Sequence, residues 1–389
     1  MKDILCLDDF ETAARKRLPR PIFAYYSGGV ETNQSLRDNR SAFQELGFVP
    51  RALANVAGRS TETSLFGERY SAPFGIAPMG LSALSCYRGD IVLARAAEKA
   101  GIPMIMSATS LIRLEEVKQA APKAWFQAYL PGTTERIEAL IDRIAAAGHT
   151  NLVVTVDVAV LANRENNIRA GFATPLKPSL RLAWDGMTRP RWTIGTFLRT
   201  LAKHGMPHFE NSFAERGAPL LSSTVLRDFV ARDNLDWSHV ELIRRRWKGK
   251  FVLKGILSKT DALLARSHGV DGIMVSNHGG RQLDGAVSPL RVLPEIAEAI
   301  GGSMPVMLDS GIRRGTDVLK ALALGADFVF VGRPFLYAAA VGSDAGVLHA
   351  AKLLQEEVQR DMALLGVSSI DQIGPKLLAN KMPWPSNQS

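Results

Sequence analysis

The chain has 389 residues, 46% hydrophobic and 22% charged, with a formal net charge of +9. That is the balance of a folded globular protein with a sizeable core, and it excludes a disordered or low-complexity chain. No run of about 18 uninterrupted apolar residues, the minimum for a membrane span, is present. No secretory signal is read at Met1-Lys2-Asp3, and the closing Ser-Asn-Gln-Ser is no peroxisomal address. The two cysteines, Cys6 and Cys86, have no metal or redox spacing, so no disulfide scaffold is expected and a reducing, cytoplasmic setting is.

Asp8 to Leu18 reads as an amphipathic helix that Pro19 and Pro21 interrupt. Tyr25-Tyr26-Ser27-Gly28-Gly29 follows, and its tyrosines fit either a core position beside a turn or a hydroxyl presented to a site. From Phe74 a rhythm begins. Short apolar runs start at Phe74, Met104, Ala124, Asn151, Phe251, Gly272, Val306 and Phe328. Helical patterns lie between them. Ile91–Ala100 is closed by Gly101, Glu135–Ala147 by Gly148 and Thr316–Leu324 by Gly325, while Ser258 to Asp261 has a capping-box-like start. Eight such alternations predict an α/β chain folded as a (β/α)8 barrel behind an N-terminal helical segment. We expect one domain over 1–389 with the barrel strands between about 74 and 334. A doubly wound open sheet is the competing architecture.

The fourth and fifth strand starts are 100 residues apart. Asp236 to Trp247 reads as the regular fourth helix, with Ser238 and Glu241 at capping-box spacing. Residues 170–235 are then an insertion loop far longer than a usual connection. It carries Leu180, Leu182, Trp184, Trp192, Phe197 and Leu198 among Arg181, Arg189, Arg191, Arg199 and Lys203. Residues 169–250 hold 15 Lys/Arg and 7 Asp/Glu, a local net charge of +8. This pattern suits a peripheral membrane contact. A loop packed over its own barrel or over a neighbouring subunit is the other reading. No nucleic-acid motif accompanies the charge, so nucleic acid is not an expected partner.

In a barrel, function collects at the carboxyl ends of the strands. Those ends carry Pro78, Met79 and Gly80; Ser107 and Thr109; Gln127 and Tyr129; Thr155, Asp157 and, further out, Arg164; Lys254; Ser276, His278 and Arg281; Asp309, Gly311 and Arg313; Gly332 and Arg333. His278 and Arg281 flank two glycines, so a base and a fixed cation share one loop. That pair suits a substrate with a proton to lose and a carboxylate to hold. Glycine backbone and arginine after the seventh and eighth strands stand where barrels commonly bind phosphate. No GxGxxG follows the first strand, which argues against a dinucleotide fold, and no metal-ligand spacing is found.

From about Asp8 to Gly366 the chain resembles the FMN-dependent α-hydroxy-acid oxidases and dehydrogenases, the glycolate oxidase, L-lactate dehydrogenase and mandelate dehydrogenase type. Its most specific piece is Ser276-Asn277-His278-Gly279-Gly280-Arg281-Gln282-Leu283-Asp284; Tyr25-Tyr26-Ser27-Gly28, Gln127-Ala128-Tyr129, Thr155-Val156-Asp157, Leu253-Lys254-Gly255 and Asp309-Ser310-Gly311-Ile312-Arg313 support it. The resemblance implies FMN and the oxidation of an L-2-hydroxy acid to a 2-oxo acid. It implies His278 as the base, with either hydride transfer or a carbanion route, and Asp157 as the carboxylate paired with it. Arg281 and Arg164 would clamp the substrate carboxylate, and Tyr25 and Tyr129 would hydrogen-bond the substrate. Lys254 would sit by the flavin N1–C2 carbonyl. Pro78, Met79, Gly80, Ser107, Gln127, Thr155 and Ser276 would contact flavin or ribityl chain. Asp309, Gly311, Arg313, Gly332 and Arg333 would hold ribityl hydroxyls and phosphate. A homotetramer is implied as well. Other FMN barrels share the phosphate end but lack the His278/Arg281 pair.

The chain departs from the family at Ala77-Pro78-Met79-Gly80, where many oxidases have Pro-Thr-Ala. Glycine at position 80 is typical of the family's dehydrogenases, which pass electrons to quinone or cytochrome, so a quinone or another non-oxygen acceptor is expected here. An oxygen-using oxidase that makes hydrogen peroxide is the alternative. Gly80 and Ala108 are expected to leave room near the flavin for a larger substrate side chain such as an aryl group, with lactate as the other candidate.

Overall fold

A computed structural model describes residues 1–172, 180–222 and 232–379 of the chain. Eight strands form the centre: β1 Phe74–Ile76, β2 Ile105–Ser107, β3 Trp125–Ala128, β4 Asn151–Thr155, β5 Lys250–Ile256, β6 Gly272–Val275, β7 Val306–Asp309 and β8 Phe328–Val331. All pair in parallel in the ring order β1-β8-β7-β6-β5-β4-β3-β2. A parallel bridge from Ile76 to Met104 closes β1 onto β2. Closure removes the sheet's edges, and the open doubly wound alternative is excluded.

Side chains alternate along each strand. Phe126, Leu152, Val154, Leu253, Ile273, Leu308 and Val329 belong to the apolar shell between strands and helices. Ile105, Trp125, Val153, Val252, Met274, Met307, Phe328 and Phe330 fill the lower barrel interior. The floor is plugged by Leu65, Phe66 and Tyr70 of a hairpin, Thr63–Leu65 with Glu68–Tyr70. Tyr70 meets Phe328, and Phe66 meets Trp125, at ring-centroid distances of 5.7 and 5.6 Å. Gly75 gives Phe330 its place, because a Cβ there would lie 2.8 Å from that ring. One step further up, the same inward parity turns polar: Ser107, Gln127, Thr155, Lys254, Ser276 and Asp309 are all buried. The apolar half stabilises the barrel, and the polar half makes its upper end a site.

The helices between strands follow the expected pattern within a residue or two: Gly89–Lys99, Thr134–Ala146, Lys259–Ser267 and Gly315–Ala323. Gly101, Gly148 and Gly325 all have the left-handed φ of helix stops. Ser258 caps its helix by accepting from the Asp261 amide. The helix Trp237–Arg246 falls within the expected Asp236–Trp247, but its cap is not Ser238. Asp236 is its cap, accepting from the Ser238 amide at 3.0 Å, because a carboxylate outcompetes a hydroxyl for free amides at a positive helix end. At the N-terminus, Leu7–Arg17 and Arg20–Ser27 are separate helices. Pro21 lies in the first turn of the second, where no amide proton is needed, so the tyrosine pair rides on a helix over the barrel's upper end.

The insertion is not the loop expected for 170–235. From 180 to 204 it is largely helical, Leu180–Met187, then Pro190–Trp192 running through Thr193–Leu198 into Arg199–His204, whereas 205–222 holds no helix. Residues 173–179 and 223–231 of it, and the side chains of Arg181 and Leu182, lie outside the described residues. Trp192 points inward: its indole donates to the Leu84 carbonyl at 2.7 Å and stacks on Phe197. Leu180, Trp184 and Met187 are exposed at helical spacing, and Ile194 and Leu198 are exposed beyond them. Among the described residues no helix is long and apolar enough to cross a membrane.

Candidate active site

A cavity of about 470 Å3 opens at the carboxyl ends of the strands, a size ordinary for a small-molecule site. At its centre is His278, on the turn leaving β6. His278, Gly279 and Gly280 all have left-handed φ, between 58° and 69°. A Cβ on Gly280 would come within 2.6 Å of the Leu36 backbone, so only glycine lets the turn reach the N-terminal segment. Two tethers hold it there. Asn277 and Asn39 exchange buried amide hydrogen bonds at 2.7 and 2.8 Å. Asp284 accepts from the Thr32 and Ser35 amides, capping the helix Gln34–Gln44 from across the barrel. His278 itself is held in a conformation that costs a non-glycine residue about 1–3 kcal/mol.

The imidazole is held on both sides. Its Nδ1 lies 2.8 Å from Asp157 Oδ1, and its Nε2 lies 3.4 Å from the Tyr129 hydroxyl. Gly255, at φ 109°, makes room for Asp157: a Cβ there would stand 2.7 Å from the aspartate's own. Burial pushes the Asp157 carboxyl up, but His278 and Lys254 more than offset this and hold it below the usual carboxylate range. Burial pushes His278 down, Asp157 pulls it up, and the balance lies below the ordinary imidazole value. Burial also raises the Tyr129 hydroxyl well above a free phenol, against the pull of Arg164 and Arg232. The resting pair is therefore a carboxylate and a neutral imidazole with Nε2 facing the cavity side.

Beneath this runs a polar layer. Lys254 Nζ lies 2.6 Å from Ser276 Oγ and 2.7 Å from Asp309 Oδ2. Ser107 donates to Gln127 Oε1 at 3.0 Å, and Gln127 Nε2 has no hydrogen-bond partner among the described residues. The β7–β8 end is cationic. Arg333 donates to the Tyr26, Gly28 and Gly279 carbonyls, and Arg313 to that of Ile312. Burial pushes Arg333 down to about 10 and lowers Arg313 too. Buried guanidinium groups in this state gain from an anion placed beside them.

Fifteen of the expected residues line the cavity: Tyr25, Pro78, Met79, Gly80, Tyr129, Thr155, Arg164, Lys254, His278, Arg281, Asp309, Gly311, Arg313, Gly332 and Arg333. Ser107, Gln127, Asp157 and Ser276 do not; they form the layer behind it, bonded to one another or to the lining residues. The expected arginine clamp is only half free. Arg281 Nη1 is committed to the Tyr25 and Gly28 carbonyls at 2.7 Å each, and Arg164 reaches the Arg281 carbonyl and Gln282. Burial and then the nearby Arg164 push Arg281 down to about 9. Thr109 takes part of the room expected beside Gly80 and Ala108. Ala108 is fully buried off the cavity, and a Cβ on Gly80 would collide with Thr109 Oγ1. The apolar lining comes instead from Leu161, Ile168, Phe172 and Phe209. Sequence reasoning also missed Arg232, which lines the cavity with its guanidinium 4.8 Å above the Tyr129 ring. Its sequence surroundings carry no motif.

The chain matches the family described as FMN-dependent dehydrogenase over residues 14–380. It is 35% identical over 381 residues to (S)-mandelate dehydrogenase of Pseudomonas putida, covering 98% of this chain and 95% of that one. It is 40% identical over 382 residues to L-lactate dehydrogenase of Stenotrophomonas maltophilia (strain R551-3), covering 96% and 98%. Among solved structures it is similar to one of (S)-mandelate dehydrogenase described as a monotopic membrane protein, with a TM-score of 0.89 at 36% identity over 97% of this chain and 100% of that one. It is also similar to mandelate oxidase with benzoyl-formic acid, with a TM-score of 0.79 at 35% identity over 97% and 98%.

Proposed function

This chain belongs to the FMN-dependent dehydrogenase family and uses FMN to oxidise a 2-hydroxy acid, and on that premise we propose that it converts an L-2-hydroxy acid to the 2-oxo acid and passes the electrons to a quinone rather than to oxygen. The observation that carries this reading is the line Asp157–His278–Tyr129, whose imidazole and phenol line the cavity together with Arg164 and Arg281. The donor set fits FMN. Arg313, Arg333 and the backbone at Gly311 and Gly332 would hold a phosphate. Asp309 would take ribityl hydroxyls. Pro78, Met79, Gly80 and Thr155 would line the ring. Ser107, Gln127 and Ser276 would reach it from the layer behind, where the buried Gln127 amide still has a proton to donate. FMN supplies the two-electron acceptor for the hydrogen that leaves the substrate's α-carbon. Lys254 would counter negative charge on the ring.

The protein's own part is positional and protolytic. Arg281, helped by Arg164, fixes the substrate carboxylate. Tyr129, and Tyr25 across the cavity, orient the oxygen on the α-carbon. His278 enters neutral because burial keeps it so, and its Nε2 accepts the proton. Asp157 then stabilises the imidazolium through Nδ1–H, as a partner that stays ionised. A hydride route and a carbanion route both need this base at this atom. The apolar lining supports an aryl or branched side chain, in keeping with the mandelate dehydrogenase relative.

Exposed Leu180, Trp184, Met187, Ile194 and Leu198 support a monotopic contact with the membrane, from which a lipophilic quinone would be drawn. The cytoplasmic face and a homotetramer belong to the same reading and rest on family resemblance. The test is an anaerobic flavin-bleaching screen over glycolate, L-lactate, both mandelates and long-chain 2-hydroxy acids, followed by reoxidation. An L-acid is expected to bleach the flavin, and a quinone analogue to restore it faster than oxygen does. Faster recovery with oxygen overturns the dehydrogenase reading in favour of an oxidase.

A further inference from the structure

Arg232 comes from the far end of the insertion and is 8% exposed, yet it lines the same cavity as His278. Its guanidinium lies 4.8 Å from the Tyr129 ring centroid, over the face of the ring. The segment is pinned where it lies: Asn234, two residues on, donates to the Gly132 carbonyl at 3.0 Å, on the loop that leaves β3 just after Tyr129. So the insertion folds its C-terminal end back onto the tyrosine. A cation on the face of an aromatic ring withdraws charge from it and is worth most when water is excluded. On a phenol, that makes the hydroxyl a better donor. The Tyr129 hydroxyl faces His278 Nε2, where oxygen of the substrate must come to lose its proton. Burial alone raises the phenol's hold on its proton, and Arg232 is one of the two cations that work against it.

We propose that Arg232 is a positioning residue for the oxidation: through the face of Tyr129 it fixes the ring and strengthens the phenol's hydrogen bond to the substrate oxygen as that oxygen gives its proton to His278. The proposal rests on the reading of the site given above. It gives the insertion a part in the chemistry, beyond contact with a membrane.

The test measures anaerobic flavin bleaching in the full chain loaded with FMN, at saturating acid, for Arg232→Met, Arg232→Lys, Tyr129→Phe and the double variant Arg232→Met/Tyr129→Phe. Arg232→Met is expected to slow bleaching about thirtyfold, the size of one desolvated cation–π contact, with the substrate dissociation constant little changed. Arg232→Lys keeps the cation and is expected to recover most of the rate. In the Tyr129→Phe background the ring remains but the hydroxyl is gone, so Arg232→Met is expected to add nothing. An unaltered rate in Arg232→Met overturns the proposal. So do losses that multiply in the double variant, which a purely structural role would produce, and a loss confined to the dissociation constant, which direct substrate contact would produce. Should Arg232→Met fail to retain FMN, Arg232→Gln, which also removes the cation, takes its place in both tyrosine backgrounds under the same rule. A wild-type chain that no 2-hydroxy acid bleaches contradicts the reading of the site itself; a bleached wild type with an unaltered Arg232→Met overturns this proposal alone.

Discussion

Replacing Asp157 by asparagine keeps the shape of the site and removes one charge. Asp157 Oδ1 accepts from His278 Nδ1 at 2.8 Å, and Oδ2 is buried with no hydrogen-bond partner among the described residues, so the aspartate's polar contact there is with His278. A hydrogen bond to a charged group contributes about 1.5–3 kcal/mol. The bond is charge-assisted on both sides only once the imidazole has taken its proton, so this energy is felt in the barrier rather than in binding. Bleaching should therefore slow by about ten- to a hundredfold, with the dissociation constant for the acid unchanged. The pH profile carries a sign. His278 must be neutral to act, so the rate rises with pH through the imidazole's pKa, which burial keeps below its ordinary value while Asp157 pulls it up. Without the carboxylate that upward pull is lost, so the rising limb moves to lower pH while its plateau falls. Stopped-flow bleaching across pH reads both. A wild-type plateau, or a limb displaced to higher pH, would refute the reasoning.

Arg281→Lys leaves a cation but loses the fork shared with the Tyr25 and Gly28 carbonyls; binding of the 2-oxo acid, read from the flavin spectrum, should weaken by about ten- to a hundredfold. Asn39→Ala leaves the buried Asn277 amide only the Val287 carbonyl and the Gly280 amide as partners; thermal unfolding followed by flavin fluorescence should show a loss of about 1–3 kcal/mol and weaker FMN retention. Gly80→Ala should destabilise by about 1–3 kcal/mol through overpacking against Thr109 Oγ1, and Thr109→Ala in the same chain should restore it; equal melting temperatures of the wild type and both variants would contradict the collision. Leu180→Glu with Trp184→Glu should abolish pelleting with anionic lipid vesicles without altering anaerobic bleaching, and unchanged pelleting removes the membrane contact from the account.

The barrel was legible because its signals are local. Each strand is a short apolar run, three of the helix stops are Gly101, Gly148 and Gly325, and the inward polar layer follows from alternation along the strand. The His278 turn was legible as well: its residue types are demanded by left-handed backbone and by close approach of the helix Gln34–Gln44. What escaped depends on contacts distant in sequence. Arg232 and Tyr129 are 103 positions apart in the chain, and nothing near either announces the other. Trp192 reads as a membrane residue until Leu84 supplies its hydrogen bond. The room at Gly80 looks open until Thr109 is folded beside it. The arginine clamp looked unencumbered because backbone carbonyls, which hold much of Arg281, are invisible to side-chain patterns.

The central claim is that His278 takes the substrate's proton in this cavity. His278→Ala, loaded with FMN and mixed without air with the acid that best bleaches the wild type, tests it most directly. The account predicts that the acid still binds and that the flavin stays oxidised over many wild-type turnover times; bleaching at the wild-type rate would contradict it.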